Sequence, residues 1–504
     1  MKRQHPIAII GYTSRYFWML LFPLIRGLAT IRLSMESLQR WAKGAGWDLF
    51  IVAAMVLFAV GKWFLFKYKT EETHIRIETG LIPSRSTDLP YRNICAVSAS
   101  VSPLYKFLGL VKLRMDTDAP CLTRRRSDVV VVMEEKECAA MLDILDRDLS
   151  SKNRKISIAY RVRLGVMAAF SFFFSNAVSG TLLVITGVSG SAAIIGEKLE
   201  AMLFELADGL SDALSTLLGT LIRGISPVGV KISVIIGIGF LISFAGNIMR
   251  LGHFRSERRG NCIRISSGLV TKRVCIINAK KINMVDMRQN LLMKLLGLTS
   301  VHISCTGYGK QKNEIPVFIP ICMTPRRADR KRTKKGYRPG IRDPYFVLER
   351  ILPEFAHGRD HISTRSLYCW RMICIPAFMV MLIPLAGLCG AVVFPEWYDL
   401  ILFFMVILEI PSVWLLLVKA VSFMTNGFDI RKRCVCAKYS SFYMFHTISV
   451  PFERLAQIRI SQNLFQRFNR SCDVHIYTAA ERMSGQVVRS MPSAGVQRLI
   501  REKM

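Results

Sequence analysis

Blocks of about 20 consecutive apolar residues constrain the fold of this chain more than any other feature of its sequence. Six such blocks occur in three pairs: 12–30 and 48–66, 162–187 and 227–250, and 367–394 and 398–423. A helix rises about 1.5 Å per residue, so each block is long enough to cross roughly 30 Å of hydrocarbon. The chain is 51% hydrophobic although 69 of its residues are Lys or Arg, which requires the apolar residues to be segregated. The sequence therefore predicts an integral membrane protein.

The first block needs a separate argument because Lys2 and Arg3 precede it, as basic residues precede the apolar part of a signal peptide. No convincing small-residue cleavage site follows, and Arg26 interrupts the apolar run. We therefore expect this block to be retained as the first membrane span.

The charges of the connecting segments predict which side of the membrane they occupy. Residues 250–365 carry 25 Lys and Arg against 8 Asp and Glu, whereas the loop 188–226 carries five acids and two cations. The turn 395–397 has no Lys or Arg, and only the loop 31–46, with three cations, argues mildly the other way. Because cytoplasmic segments near spans carry the excess of Lys and Arg, the long polar regions and both termini are predicted to be cytoplasmic.

An internal repeat is the most specific feature of the polar regions. The segment 75–82 (IRIETGLI) realigns with 263–270 (IRISSGLV), and the match continues without a gap. A third, degenerate copy aligns further along the chain, where Ser441 and Arg470 replace the residues equivalent to Gly80 and Gly109. Gly80 follows a predicted strand and suits a hairpin position with positive φ, and Gly109 lies before another predicted strand.

The repeated segments have the pattern of a small β-rich domain. Each copy reads as short alternating strands broken at Gly, Pro and Asn, and two copies end in segments of helical periodicity, 138–149 and 495–503. Many strands with one closing helix predict a small, partly open barrel.

The same pattern resembles a known family. A strand, Gly-Leu, a Pro/Ile-centred strand and Leu-x-(Lys/Arg)-x-x-Gly-Leu after a membrane hairpin are similar to the bacterial pleckstrin-homology-like (PH-like), membrane-flanked domains. The threefold arrangement resembles that of YdbT-type membrane proteins, and the best segments are 75–117 and 263–305. The resemblance implies a bacterial cell-envelope role, with members linked to resistance against antimicrobial peptides, and it implies no catalytic residue.

Together these observations predict a mixed membrane protein. It has six transmembrane helices in three hairpins plus three cytoplasmic PH-like β-barrel domains, each closed by a helix. The predicted divisions are hairpin 1 over 1–68, PH-like domain 1 over 69–155, hairpin 2 over 156–252 with an extracytoplasmic amphipathic helix over 196–222, PH-like domain 2 with a basic tail over 253–345, hairpin 3 over 366–423, and the degenerate PH-like domain 3 over 424–504.

A basic tract in the second polar region is the strongest charge feature. Its eight cations are Arg326, Arg327, Arg330, Lys331, Arg332, Lys334, Lys335 and Arg338. A polybasic segment near a membrane gains about 1 kcal/mol per Lys or Arg against anionic lipid, so we expect contact with lipid headgroups. The alternative is a solvated linker that only reports the topology.

The repeats also align one cation each: Lys106, Lys294 and Arg467. Each lies between apolar residues near the turn to the next strand. They are candidates for a shared contact with a headgroup or a partner, and the alternative is a solvated cation at a structural turn.

Glu409 lies near the centre of the last apolar block, two residues before Pro411. A carboxylate at that depth is costly and normally faces protein or a water path. It is either part of a transport or relay site or a protonated group that holds helices together by a hydrogen bond.

The remaining patterns limit the function. No nucleotide-binding, hydrolase or zinc-protease motif occurs, so we expect no enzyme, metal or cofactor, and no nucleic-acid-binding motif accompanies the formal charge of +33.

Two hypotheses remain: a non-enzymatic scaffold of the bacterial cell membrane, or a transporter or exporter component that uses Glu409. A single central ionisable residue favours the scaffold. The expected partners are the lipid bilayer and its anionic headgroups, with a smaller sister protein containing one PH-like domain as a further candidate.

Overall fold

The computed structural model describes most of the chain outside the predicted first span (12–30), the loop that follows it and several other segments. The described residues are 1–13, 46–71, 73–80, 85–117, 128–149, 158–176, 227–309, 316–323, 344–355, 364–365, 370–431, 433–478 and 485–503, with the isolated positions 17, 181, 205 and 209. Within them, four helices are long and apolar enough to cross a membrane: Gly46–Leu65, Ile232–Leu251, Met372–Val393 and Pro395–Thr425.

The first repeat begins with a strand that precedes its hairpin and ends with a helix. In chain order its elements are β1 (Lys2–Arg3), α1 (Ala8–Tyr12), α2 (Gly46–Leu65), β2 (Lys67–Thr70), β3 (His74–Thr79), β4 (Arg85–Pro90), β5 (Ile94–Val101), α3 (Pro103–Phe107), β6 (Leu110–Thr117), β7 (Val129–Glu134) and α4 (Glu135–Leu149). Ile75 and Ile77 of β3 face the core, whereas Arg76 between them pairs with Asp88 at the surface. This alternation is the period of two that a half-buried strand requires.

The second and third repeats follow the same order. The second has β8 (Ile158–Arg161), α5 (Leu164–Phe174), α6 (Pro227–Leu251), β9 (Arg255–Arg259), β10 (Cys262–Ser267), β11 (Lys272–Asn278), β12 (Ile282–Asn290), α7 (Leu291–Leu296), β13 (Leu298–Cys305), β14 (Val317–Met323) and α8 (Pro344–Ile351). The third has β15 (Thr364–Arg365), α9 (Trp370–Val393), α10 (Tyr398–Thr425), β16 (Gly427–Ile430), β17 (Cys434–Ser441), β18 (Met444–Pro451), β19 (Leu455–Ser461), α11 (Leu464–Phe468), β20 (Ser471–Thr478), β21 (Gln486–Pro492) and α12 (Ser493–Lys503).

The two ends of each hairpin segment meet in one sheet. The strand before each hairpin pairs antiparallel with the strand after it, as β1 with β2, β8 with β9 and β15 with β16. Each hairpin segment therefore leaves and re-enters a sheet at neighbouring strands. The predicted divisions assign β1 and β8 to the hairpins and β15 to no unit, but the structure places all three in the sheets of the repeats.

The repeats are joined edge to edge into continuous sheets. Strand β5 of the first repeat pairs with β11 of the second, and β12 of the second pairs with β18 of the third. The two junctions share one register: Val97 lies opposite Ile276 in the first, and their repeat equivalents, Val285 and Ser449, lie opposite each other in the second. The result is two seven-stranded sheets, each built from halves of two repeats.

The structure differs from the predicted boundaries around the second repeat. Helix α5, the first part of the predicted third span, ends at Phe174, and its Phe170 is buried in the core of the second domain. The closing helix α8 begins beyond the basic tract and buries Leu348 and Ile351 in that core. The domain therefore continues past residue 345, and the basic tract belongs to the segment between β14 and α8 rather than to a tail.

Candidate membrane-contact site

In each repeat, a short helix follows the fourth strand after the hairpin. These three helices form the candidate site. We call α3, α7 and α11, with the residue that follows each, the three tips. Their first turns are fixed by local capping: Tyr105 N donates to Ser102 Oγ (3.4 Å) in α3, and Met293 N donates to Asn290 Oδ1 (2.7 Å) in α7. In α11 the side chain of Asn463 and that of Gln466 form a capping box. Such caps satisfy backbone N–H groups that a short helix would otherwise leave open.

The tips end in a left-handed backbone conformation. Gly109 (φ 65°) and Gly297 (φ 70°) adopt left-handed conformations, as do Gly80 and Gly268 at the preceding hairpin. The prediction of positive φ is therefore confirmed at Gly80 and Gly268. The degenerate repeat keeps the same turn, since Arg470 has a φ of 49°.

Each tip exposes two large apolar side chains at equivalent positions. The exposed fractions are 57% and 92% for Leu104 and Phe107, 40% and 70% for Leu292 and Leu295, and 82% and 85% for Phe465 and Phe468. A single exposed apolar residue needs no explanation, but the same pair recurs in three repeats that have diverged elsewhere. Removing such side chains from water is worth about 1.5–3 kcal/mol each.

The three aligned cations lie on these tips and differ in their surroundings. Lys106 and Arg467 are exposed. Lys294 is half-buried: its Nζ donates to Thr425 Oγ1 (3.1 Å) and lies 3.9 Å from the ring centroid of Phe445. Burial, together with the charge of Lys438, lowers the pKa of Lys294 to about 8. The structure thus leaves two of the cations open to a ligand and uses the third to attach a tip to α10.

Two tips lie beside the ends of membrane-length helices. Tyr105 packs on the same small cluster as Trp63, which stands in the last turn of α2. Leu291 packs against Val418 in the last third of α10. These contacts place the first two tips beside two of the membrane-length helices.

Sequence reasoning identified the cations but missed the apolar side chains beside them. The signal was present, because the repeat alignment pairs Leu104 with Leu292 and Phe465. Apolar residues next to a strand usually belong to a core, so the sequence alone gives no reason to expect these side chains to be exposed.

The other predicted site residues do not belong to the tips. The basic tract from Arg326 to Arg338 and nearly all of the amphipathic segment 196–222 lie outside the described residues. Glu409 is half-buried in α10, and its Oε2 has no hydrogen-bond partner in the part of the chain that the structure describes. Within the same part, no group of three His, Cys, Asp or Glu side chains could hold a metal ion.

Comparison with known proteins supports the family resemblance found in the sequence. The profile of a family described as bacterial PH domain matches three times, at residues 22–148, 213–321 and 377–503. The transmembrane protein YdbT of Bacillus subtilis (strain 168) is 23% identical over 342 residues, which cover 64% of this chain and 66%, just under two thirds, of that protein. No solved structure matches the chain significantly.

Proposed function

The chain belongs to the bacterial PH domain family, and from this premise we propose that it is a non-enzymatic scaffold of the bacterial cell membrane. In this proposal its hairpins are multi-pass anchors, its three PH-like domains face the cytoplasm, and their tips contact anionic lipid headgroups. The observation that carries the proposal is the recurrence of two exposed apolar side chains next to a cation in every repeat. An apolar side chain beside a Lys or Arg suits the membrane interface, where the first enters the acyl boundary and the second meets phosphate.

Insertion of the tips is tested by replacing Phe107, Leu295 or Phe468 with a fluorescent unnatural amino acid in the full chain, reconstituted in anionic vesicles. Brominated acyl chains should quench all three positions. The matched control is Arg498 of α12, which is highly exposed but outside the tips, and it should not be quenched. Equal quenching at the tips and at the control would reject the membrane contact.

An envelope role follows from the family resemblance and is tested in cells. Deletion of the gene should sensitise the cells to cationic antimicrobial peptides, and the wild-type chain should restore survival. A variant with Phe107, Leu295 and Phe468 all changed to Ser, expressed at matched membrane levels, should restore it poorly. Full rescue by this variant would separate the envelope role from the tips.

A sister protein with one PH-like domain remains our proposed partner, and the open edge of β19 supports it. In the described residues β19 pairs with β20 alone, whereas its equivalents β5 and β12 each pair with the next repeat. A fourth domain could add its third strand there in the register that both internal junctions share. A photo-crosslinking residue at Arg459 should capture the partner, and one at Arg498 should not. A partner that co-purifies but crosslinks only from Arg498 would exclude this edge.

A transporter component is the second candidate, because Glu409 Oε2 is buried without a hydrogen-bond partner among the described residues. If Glu409 only supports packing, Glu409→Gln should be nearly silent, since a protonated Glu and a Gln have similar volumes and both donate and accept hydrogen bonds. Glu409→Leu should then weaken packing by about 0.6–2 kcal/mol. The measurement is peptide resistance at matched abundance, and a null phenotype for Glu409→Gln would favour the transporter.

A further inference from the structure

A cavity of about 390 Å³ lies where the third hairpin meets the third domain. Its apolar wall comes from the two helices of the hairpin, with Met372 and Ile375 of α9 and Leu415 of α10. Its polar wall includes Lys419 of α10, together with Ser440 and Arg489 of the domain. The cavity therefore combines apolar side chains of the hairpin with polar groups from both the hairpin and the domain.

The polar wall is positively charged. Lys419 Nζ donates to Ser440 Oγ (2.9 Å) and to Ser440 O (3.2 Å), which fixes the ammonium group at the wall. Arg489 lines the same cavity, so two cationic side chains share this wall. Among the described lining residues there is no Asp or Glu. Two like charges beside one cavity of low polarity destabilise each other, and an anion between them would relieve that repulsion.

The depth of the cavity matches the headgroup layer. Lys419 lies six residues before the end of α10 at Thr425, or roughly 9 Å along the helix axis. The apolar residues of α9 and α10 continue from there toward the membrane centre. A ligand that fills the whole cavity needs a negative charge at one end and hydrocarbon at the other.

The helix position of Lys419 differs among the three repeats. The positions equivalent to Lys419 are Phe58 in α2 and Gly246 in α6, neither of which carries a charge. At this helix position, therefore, only the repeat that lost its turn glycines carries a cation. The cavity is separate from the tips, and membrane contact at the tips is not a premise for it.

We infer that this cavity holds one anionic phospholipid, with its phosphate between Lys419 and Arg489 and its acyl chains along α9 and α10. The bound lipid would attach the third domain to its hairpin. Such a ligand differs from the exchangeable headgroups at the tips, because it is enclosed by residues of both the membrane helices and the domain.

The inference is tested on the full chain, purified in mild detergent and analysed by native mass spectrometry after addition of phosphatidylglycerol, phosphatidylcholine or inorganic phosphate. We expect one tightly held phosphatidylglycerol per chain, and affinity for it roughly tenfold weaker in the Lys419→Gln, Arg489→Gln double variant. Lys419→Arg should retain the lipid. The matched control is Lys62→Gln, which removes a cation from the last turn of α2 and should leave the tightly held lipid in place.

Three results would contradict a tightly bound lipid in this cavity. Retention of phosphatidylglycerol by the double variant at wild-type affinity would overturn the inference, as would equal loss in Lys62→Gln, which would indicate general lipid loss. Displacement of the lipid by millimolar inorganic phosphate would identify a site for free phosphate instead. Thermal unfolding of each variant shows whether a loss of lipid reflects a loss of fold.

Discussion

Arg470 occupies a backbone position that the other two repeats give to glycine. Its φ of 49° lies in the left-handed region, where an L-residue with a side chain is strained by about 1–2 kcal/mol. The turn persists because its backbone is held by neighbours: Ser493 N and Ser493 Oγ both donate to Arg470 O at 3.0 Å. The third repeat therefore keeps the fold of the family at a local energetic cost.

Relief of that strain gives the prediction at the residue scale. Arg470→Gly should raise the free energy of unfolding by about 1 kcal/mol, because the turn is kept and the strain is removed. Gly109→Ala is the matched reverse change and should destabilise by a similar amount, since a Cβ at Gly109 would meet no atom within 4 Å and only the backbone strain remains. Thermal unfolding of the detergent-solubilised chain measures both. A lower midpoint for Arg470→Gly would show that its side chain contributes more than the strain costs.

At the scale of elements, the junction between β12 and β18 contains a buried polar group. Asp286 of β12 is 3% exposed and lies 3.0 Å from His446 Nδ1 of β18 and 2.7 Å from Arg288 Nε. Burial by itself would raise the pKa of Asp286, but hydrogen bonding and electrostatic attraction from His446 and Arg288 hold that pKa at about 2, below its ordinary 3.8. The carboxylate therefore helps to join the second and third repeats.

Because of this junction, the stability of the protein should decrease at acidic pH. Because the pKa of Asp286 is lower in the folded state, its contribution is present above pH 4 and is lost as the pH falls toward 2. Asp286→Asn should thus cost roughly 2 kcal/mol at neutral pH and much less near pH 2. Unfolding monitored across this pH range, with hydrogen exchange of β12 and β18, measures the effect. A cost that does not change with pH would contradict the ionic role.

The strands that flank each hairpin give a second prediction at this scale. Arg3 of β1 lies directly opposite Lys67 of β2, so cysteines at these two positions should form a disulfide under mild oxidation. Arg3→Cys combined with Glu78→Cys is the control: Glu78 lies opposite Lys67 on its other side, one strand further away. Mass spectrometry of the linked peptides distinguishes the pairs. Preferential linkage to position 78 would disprove the pairing of the two hairpin ends.

At the scale of the whole molecule, two junctions of identical register join three repeats into one body. Since the strands flanking every hairpin belong to this body, all three domains should lie on one side of the membrane. The natural cysteines Cys95, Cys275 and Cys472 are poor reporters of that side, because they are only 1%, 6% and 0% exposed. A test of sidedness needs cysteines introduced at exposed positions.

Introduced cysteines should report opposite sides for the domains and for the turn of the third hairpin. Arg498→Cys on α12 should react with an impermeant thiol reagent only after the cells are permeabilised. Glu396→Cys, in the exposed turn between α9 and α10, should react in intact cells. The physical reason is the excess of Lys and Arg in the domains, which opposes their transfer across the membrane. Labelling of Arg498→Cys in intact cells would reverse the proposed orientation.

The sequence alone determined the membrane-length helices that the structure describes, the threefold repeat, its family and its turn glycines. All of these depend on local patterns: the length of an apolar run, the alternation along a strand, or the need for positive φ at Gly80. The cations of the tips could also be aligned from sequence. Their apolar neighbours could not be separated from core residues, because exposure is not a local property.

Only the tertiary structure decided how distant parts of the chain combine. The pairing of β5 with β11, of β1 with β2, and the meeting of Lys419 with Arg489 each join residues far apart in sequence, where many alternative pairings share the same local pattern. Helix α5 is the clearest case. Its apolar run predicts a membrane span, yet Phe170 lies in the core of the second domain. Hydrocarbon and a protein core are equally apolar, so composition cannot tell one from the other, and only packing could.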